Sequence, residues 1–179
     1  VAQGRFADAY MLNRESNVFP GILGRVCDRP CEPACRRRRV EEKPVAICRL
    51  KRVAADNKGD IEDRLPSAAR KTNGRRVALI GAGCASLTVA NDLAPLGYEC
   101  TIFEALASPG GLMRTNIPAF RLPAEVLDEE IGYITRLGVD MRFSSPVTSL
   151  KALLTEGYDA VFVGSGAPKG KDLRLPGRD

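Results

Sequence analysis

Three cysteines stand at even spacing in one short stretch, GRVCDRPCEPACRRRR: Cys27, Cys31 and Cys35, followed by four arginines. Thiolates are soft donors that suit iron–sulfur clusters or zinc. A disulfide framework fits poorly with a chain whose composition is otherwise that of a cytosolic protein. A zinc knuckle is disfavoured, because the chain has no histidine and no Cys-x2-Cys pair. Three thiols alone cannot complete a cuboidal cluster. A fourth ligand from elsewhere and free thiols therefore both stay open, and Cys48 is a further candidate for recruitment. Cys84 and Cys100 occur singly in patterned segments and read, like Cys48, as small buried hydrophobes.

A second constellation follows in VALIGAGCAS, where Gly81-x-Gly83-x-x-Ser86 links an apolar strand to a helix. Gly81 permits the tight turn, and Gly83 lets a backbone approach a pyrophosphate. The amides opening the helix face that anion along the helix dipole. The third position of this pattern is usually Gly or Ala, so Ser86 is small enough but a departure. Glu104, 23 residues after Gly81, ends the next strand, where a carboxylate accepts from the hydroxyls of an adenosine ribose and repels a 2′-phosphate.

With no histidine, the chain lacks His-based acid–base chemistry and Ser–His or Cys–His nucleophile pairs. The hard chemistry then belongs to a cofactor. The net charge of +5 is local: Arg25 to Arg52 holds ten basic and four acidic residues, +6, which leaves −1 for the remainder. That calls for a local docking partner with an acidic face, not for nucleic-acid binding. No apolar run of 18 residues is present, so no membrane span is expected. The 179 residues suit one domain and a smaller piece, and a start at Val1 inside a helical pattern suggests a fragment.

These residues need elements to position them. Residues 1–14 have the apolar spacing of an amphipathic helix, which NVFPGILG breaks. Pro30 and Pro33 make the cysteine stretch loop or short turns. PVAICRLKRVAAD has Ile47, Leu50, Val53 and Ala54 at helical spacing, and residues 57–74 look like a linker. Beyond Gly74, strands RRVALI, YECTIFEA, VDMRFSSPV and YDAVFVGSGAP alternate with helices. These helices are CASLTVANDLAPLG, AEVLDEEIGYITRLG with Gly138 as its stop, and one starting near Ser149. The alternation predicts an α/β fold: a Rossmann-like doubly wound parallel sheet preceded by a small α-helical, cysteine-rich domain. The expected division is 1–56, a linker over 57–74, and a nucleotide-binding domain over 75–179.

The motifs NVFPGILGRVCDRPCEPAC, PVAICRLKR, GAGCASLTVANDLAPLGYECTIFEA, PGGLMRTNIPAFRLP and GYDAVFVGSGAP, in this order, resemble the NADPH-dependent glutamate synthase small (beta) subunit family. That family of flavin and iron–sulfur oxidoreductases includes the N-terminal region of dihydropyrimidine dehydrogenase. The resemblance implies FAD as the nucleotide, with Gly81, Gly83 and Ser86 along its pyrophosphate and Glu104 at its ribose. Gly110, Gly111 and Leu112 would run beside the flavin, Arg114 and Arg121 near phosphate or ring, and Val147 at the adenine through its backbone. Gly164, Ser165 and Gly166 would form the turn that passes the FAD again. Cys27 and Cys31 would serve one 4Fe–4S cluster and Cys35 another, with Arg25, Arg29 and Arg36 balancing the clusters' negative charge. Cys84 stands where the family usually has proline. At the position where one relative has its last cluster ligand, this chain has Lys51, which is no ligand.

The implied activity is electron transfer between NAD(P)H, FAD and 4Fe–4S clusters to a partner subunit, in the cytoplasm, with no catalytic side chain. The alternative is a non-catalytic assembly subunit that docks on a larger oxidoreductase through the basic cysteine arm. A nicotinamide domain is expected after residue 179, with GSGAPKGKDLRLPGRD as the crossing into it.

Overall fold

The computed structural model describes residues 1–167, Lys169 and Gly170. The crossing expected over 164–179 lies largely outside them. Helices α1 (Phe6–Arg14), α2 (Pro20–Val26) and α3 (Ile47–Asp56) form an amino-terminal layer. A 3-10 turn, Arg36–Arg39, lies between α2 and α3. Strand β1 (Arg76–Ile80), helix α4 (Cys84–Leu93) and strand β2 (Glu99–Phe103) follow. Next come α5 (Leu112–Thr115), α6 (Ala124–Thr135), β3 (Asp140–Arg142), α7 (Leu150–Thr155) and β4 (Ala160–Val163).

The four strands are parallel in the order β3-β2-β1-β4. Ala78 is paired with Thr101 on one side and Val161 on the other, and Thr101 with Asp140. Successive strands step outward from β1 to β3, and then β4 returns to the other flank of β1. The direction of winding reverses between β1 and β4, which is where open α/β sheets bind ligands. The sequence pattern predicts this doubly wound sheet. Ser149 starts α7 as expected, its hydroxyl accepting from the Ala152 amide at 3.2 Å.

One face of the sheet carries the main core. Leu79, Leu87, Ala90, Ile102, Leu127 and Ile134 there are fully or almost fully buried, and Phe19 and Ile22 of the α2 region belong to the same cluster. The helical layer is thus packed into the core of the sheet. A second cluster joins Tyr10 of α1, Ala55 of α3, Ile61 and Tyr133 of α6.

Three local expectations change. The helix expected over 1–14 begins at Phe6, after a turn closed by the Gly4 amide on the Val1 carbonyl. The PGILG segment, expected to break helical structure, forms most of α2 instead. Pro20 occupies its first turn, where no amide is needed. Helix α3 buries Cys48 and Ala54, as expected, together with Ala55, whereas Ile47, Leu50 and Val53, at helical spacing with Ala54, are each about 40% exposed. The cause is the close crossing with α2. A Cβ on Gly24 would lie 2.8 Å from the Arg52 amide nitrogen, so only small residues fit along the contact.

Candidate nucleotide crevice and cysteine arm

The crevice is built from the carboxyl ends of β1, β2 and β4. Gly81 follows β1 with φ +85°, and a Cβ there would stand 2.8 Å from the Gly164 carbonyl oxygen. The left-handed backbone and the close approach both require glycine. Gly164 follows β4 and donates its amide to Ile80 O at 2.9 Å, so the two glycine turns interlock at the point of reversal. Gly83 is the residue before α4, with no side-chain cap on that helix and no atom within 4 Å of where its Cβ would be. Open space above uncapped helix amides is the arrangement that receives an anion.

Ser86 is fully buried and its hydroxyl donates to Ile80 O at 3.2 Å. A Cβ on Gly164 would clash with that hydroxyl. The Ser86 side chain therefore packs helix to strand behind the turn, and the face it offers the crevice is backbone. Glu104 is 7% exposed at the end of β2. Its Oε2 accepts from the Ala82 amide at 2.6 Å and its Oε1 from the Leu106 amide at 2.8 Å. Two lone-pair positions on the carboxylate remain for hydroxyls.

The Gly110–Gly111 loop closes over the same turn. Gly110 donates to Ala82 O at 2.8 Å, and a Cβ on Gly111 would lie 3.0 Å from Gly83 Cα. Leu112 opens α5 and is 45% exposed beside this loop. Arg114 donates to Pro109 O at 2.5 Å and pairs with Asp128, so it braces the loop. Arg121 reaches the carbonyls of Arg25 and Val26 at 3.4 and 3.5 Å, tying the loop to the end of α2. Val147 is half-buried against Ala78, Phe103, Leu153 and Tyr158 on the second face of the sheet. Ser165 and Gly166 continue, exposed, from the Gly164 turn.

Cys27 follows α2 directly, and the Arg29 amide donates to its sulfur at 3.4 Å. Arg29 has φ +63°, unusual for a side-chain-bearing residue. Cys31 is exposed, and Cys35 precedes the 3-10 turn. Backbone amides of Val45, Arg37 and Arg38 hold the Cys35 thiol below its ordinary pKa. N–H donors aimed at sulfur favour thiolate and tune cluster potentials. Cys48 is different: it is buried, with its thiol directed at the carbonyls of Gly24 at 3.3 Å and Leu23 at 3.6 Å. Among the described residues no three Cys, Asp or Glu side chains are grouped to hold one metal ion, so the three arm thiols do not converge on a common centre. Arg25 turns away from them, to Asp56 at 2.5 Å and Gly21 O at 3.1 Å. Arg36–Arg39 are exposed.

A separate hollow of about 440 Å³ lies at the opposite, amino-terminal edge of the sheet, between Thr72, Arg76, Glu99, Thr101 and Arg142. It is remote from the glycine turns.

Residues 1–62 match the domain family described as dihydropyrimidine dehydrogenase domain II, 4Fe–4S cluster, and residues 79–138 match the NAD(P)-binding Rossmann-like domain. The whole chain aligns at 36% identity with the NADP(+)-dependent formate dehydrogenase subunit beta of Moorella thermoacetica, covering 28% of that protein. It aligns at 33% identity, again over all of the chain, with the glutamate synthase [NADPH] small chain of Bacillus subtilis, covering 36% of it. The chain is also similar to the NAD-dependent dihydropyrimidine dehydrogenase subunit PreT homolog of Salmonella typhi, 40% identical over 90% of this chain and 40% of that protein. The chain thus spans well under half the length of these curated relatives.

The described residues contain no helix long and apolar enough to cross a membrane. One structural residue escaped the sequence reading altogether. Glu130 of α6 is 1% exposed and lies within the apolar stripe of Leu127, Ile131 and Ile134. An acid at a core position of an amphipathic helix is the signal that could have found it.

Proposed function

We propose that this chain is the cluster and flavin module of an NAD(P)H-dependent electron-transfer oxidoreductase that serves a partner subunit. The observation that carries the reading is the interlock of Gly81 and Gly164 at the sheet's point of reversal, with Glu104 at its rim and an uncapped helix opening beside it. The crevice fits a dinucleotide of the FAD class: the amides beyond Gly83 would hold the pyrophosphate, and Glu104 the ribose. Gly110, Gly111 and Leu112 would lie along the flavin, with Gly164, Ser165 and Gly166 returning past it and Val147 near the adenine. Arg114 and Arg121 would contribute by bracing the glycine loop. FAD, when bound, supplies the conversion between two-electron hydride chemistry and single-electron transfer.

The donor set of the arm suits 4Fe–4S clusters, with Cys27 and Cys31 ligating one and Cys35 another, completed by ligands outside this arm. The amide donors to Cys27 and Cys35 suit thiolate ligands. Cys48, spent on α2 carbonyls, would not be a ligand. The names of the formate dehydrogenase beta subunit and the glutamate synthase small chain support NAD(P)H as the nicotinamide cofactor and a larger subunit as partner. The exposed Arg36–Arg39 turn suits an acidic face on that partner, and cysteines used as cluster ligands suit the reducing cytoplasm.

The test is anaerobic purification of the full-length polypeptide with iron, sulfide and flavin quantified together. Stoichiometric flavin and iron are expected, with a broad visible absorption. A colourless, well-folded protein would instead favour the docking-subunit reading.

A further inference from the structure

Helix α2 has seven residues, and Cys27 follows its last one. Its amino end receives no side-chain cap from the preceding residue, Phe19. Pro20 has no amide, so Gly21 and Ile22 supply the first free donors of the helix. Both are taken by one carboxylate from another layer of the molecule. Glu130 Oε1 accepts from Gly21 at 2.7 Å and from the Tyr10 hydroxyl at 2.8 Å, and Oε2 accepts from Ile22 at 3.0 Å. Gly21 admits the approach because a Cβ there would already stand 3.0 Å from Oε1.

We infer that Glu130 is a positioning residue that sets the placement of Cys27 relative to the nucleotide crevice. Resting on the functional reading above, this adds how the two redox centres are held in register. The helix between Glu130 and Cys27 is about 10 Å long at 1.5 Å rise per residue. A change of direction at the cap is therefore carried to the thiol. Glu130 itself stands on α6, three residues after Leu127, whose side chain lies against the Gly110 turn. One helix thus touches the crevice loop at one residue and aims the cysteine-bearing helix with the next inward-facing one. An ordinary Ser or Asp before Pro20 would cap α2 equally well but would leave its direction relative to α6 free. A buried carboxylate is a costly means of capping, and three donors are needed to offset its desolvation.

The experiment compares full-length holoprotein with the variants Glu130→Gln, Gly21→Ala and Tyr10→Phe. Glutamine has one acceptor oxygen, and its amide group would confront a backbone N–H. Alanine at 21 pushes the carboxylate off the helix. Both should keep flavin and iron and leave flavin reduction by NAD(P)H unchanged in stopped flow. Both should slow the onward reduction of the cluster about tenfold, the lower end of what loss of an outer-shell partner does to a metal site. Both should also shift the resonance lines of the reduced cluster. Tyr10→Phe keeps both amide contacts and should lower only the melting temperature. Wild-type transfer rates and resonance lines in both Glu130→Gln and Gly21→Ala, at full cofactor content, overturn the inference alone. A wild-type holoprotein without iron or flavin overturns the functional reading, and the inference with it.

Discussion

Glu104 and Ala82 are joined by a 2.6 Å hydrogen bond across the ends of β2 and β1, and the Glu104 carboxylate also holds the Leu106 amide. The acid at the rim of the crevice is thus a strut of the turn as well as a candidate partner for a ribose. Glu104→Gln replaces one acceptor with a donor and strands a buried amide. The loss should be about 1–3 kcal/mol of unfolding free energy, together with weaker flavin retention. Urea denaturation and flavin quantification after gel filtration would check both.

The two glycines of the turn should separate folding from binding. Gly81→Ala puts a Cβ against the Gly164 carbonyl at a left-handed backbone position and should cost roughly 1–3 kcal/mol of stability. Gly83→Ala meets no protein atom and has an ordinary backbone, φ −82°. Its melting temperature should match wild type while its flavin content falls, because the added methyl stands in the crevice. Equal destabilisation by the two would refute this assignment of space.

Cys48→Ala should keep the iron content of the wild-type protein and lower its stability by about 1 kcal/mol, the usual scale for a point change in a packed contact. Cys27→Ser should lose iron. Iron analysis of the anaerobic proteins decides, and loss of iron in Cys48→Ala would make that thiol a ligand.

Asp159 accepts from the Arg76 amide at 2.8 Å and from the Arg75 guanidinium at 2.7 Å, where β4 begins beside β1. The amide chiefly, and the guanidinium next, hold its carboxyl below the usual range. A depressed folded-state value means that this group stabilises the fold above the ordinary carboxylate pKa of about 3.9. That contribution is lost as the pH falls through the lower folded value. Asp159→Asn should therefore melt below wild type at neutral pH, and the gap should close on acidification. A gap that is constant with pH would contradict the assignment.

Much of this was legible in the sequence because it is local. The glycine turn after β1, the Ser149 cap and the alternation that gives the parallel sheet are each encoded within a few neighbouring residues. The illegible parts depend on residues far apart in the chain. Helix α2 looked like a break because Pro20, Gly21 and Gly24 form helices poorly by themselves, and its cap is supplied by Glu130. Helical spacing groups Ile47, Leu50 and Val53 with Ala54, yet of these four only Ala54 is buried, because at Gly24 the backbone of α3 lies against α2. Arg114 and Arg121 have types that suit phosphate, but their reach to Pro109, Arg25 and Val26 is set by the folded loop.

The sharing of one core by Phe19, Ile22, Leu127 and Ile131 has a practical corollary for anyone dissecting the polypeptide. A protease nick within residues 57–74 would leave the pieces clasped together. Expressing the sheet by itself would strip the oily flank of α6 and leave a naked acid in its midst, an invitation to clump. The cysteine arm and the sheet must be produced as one piece of chain.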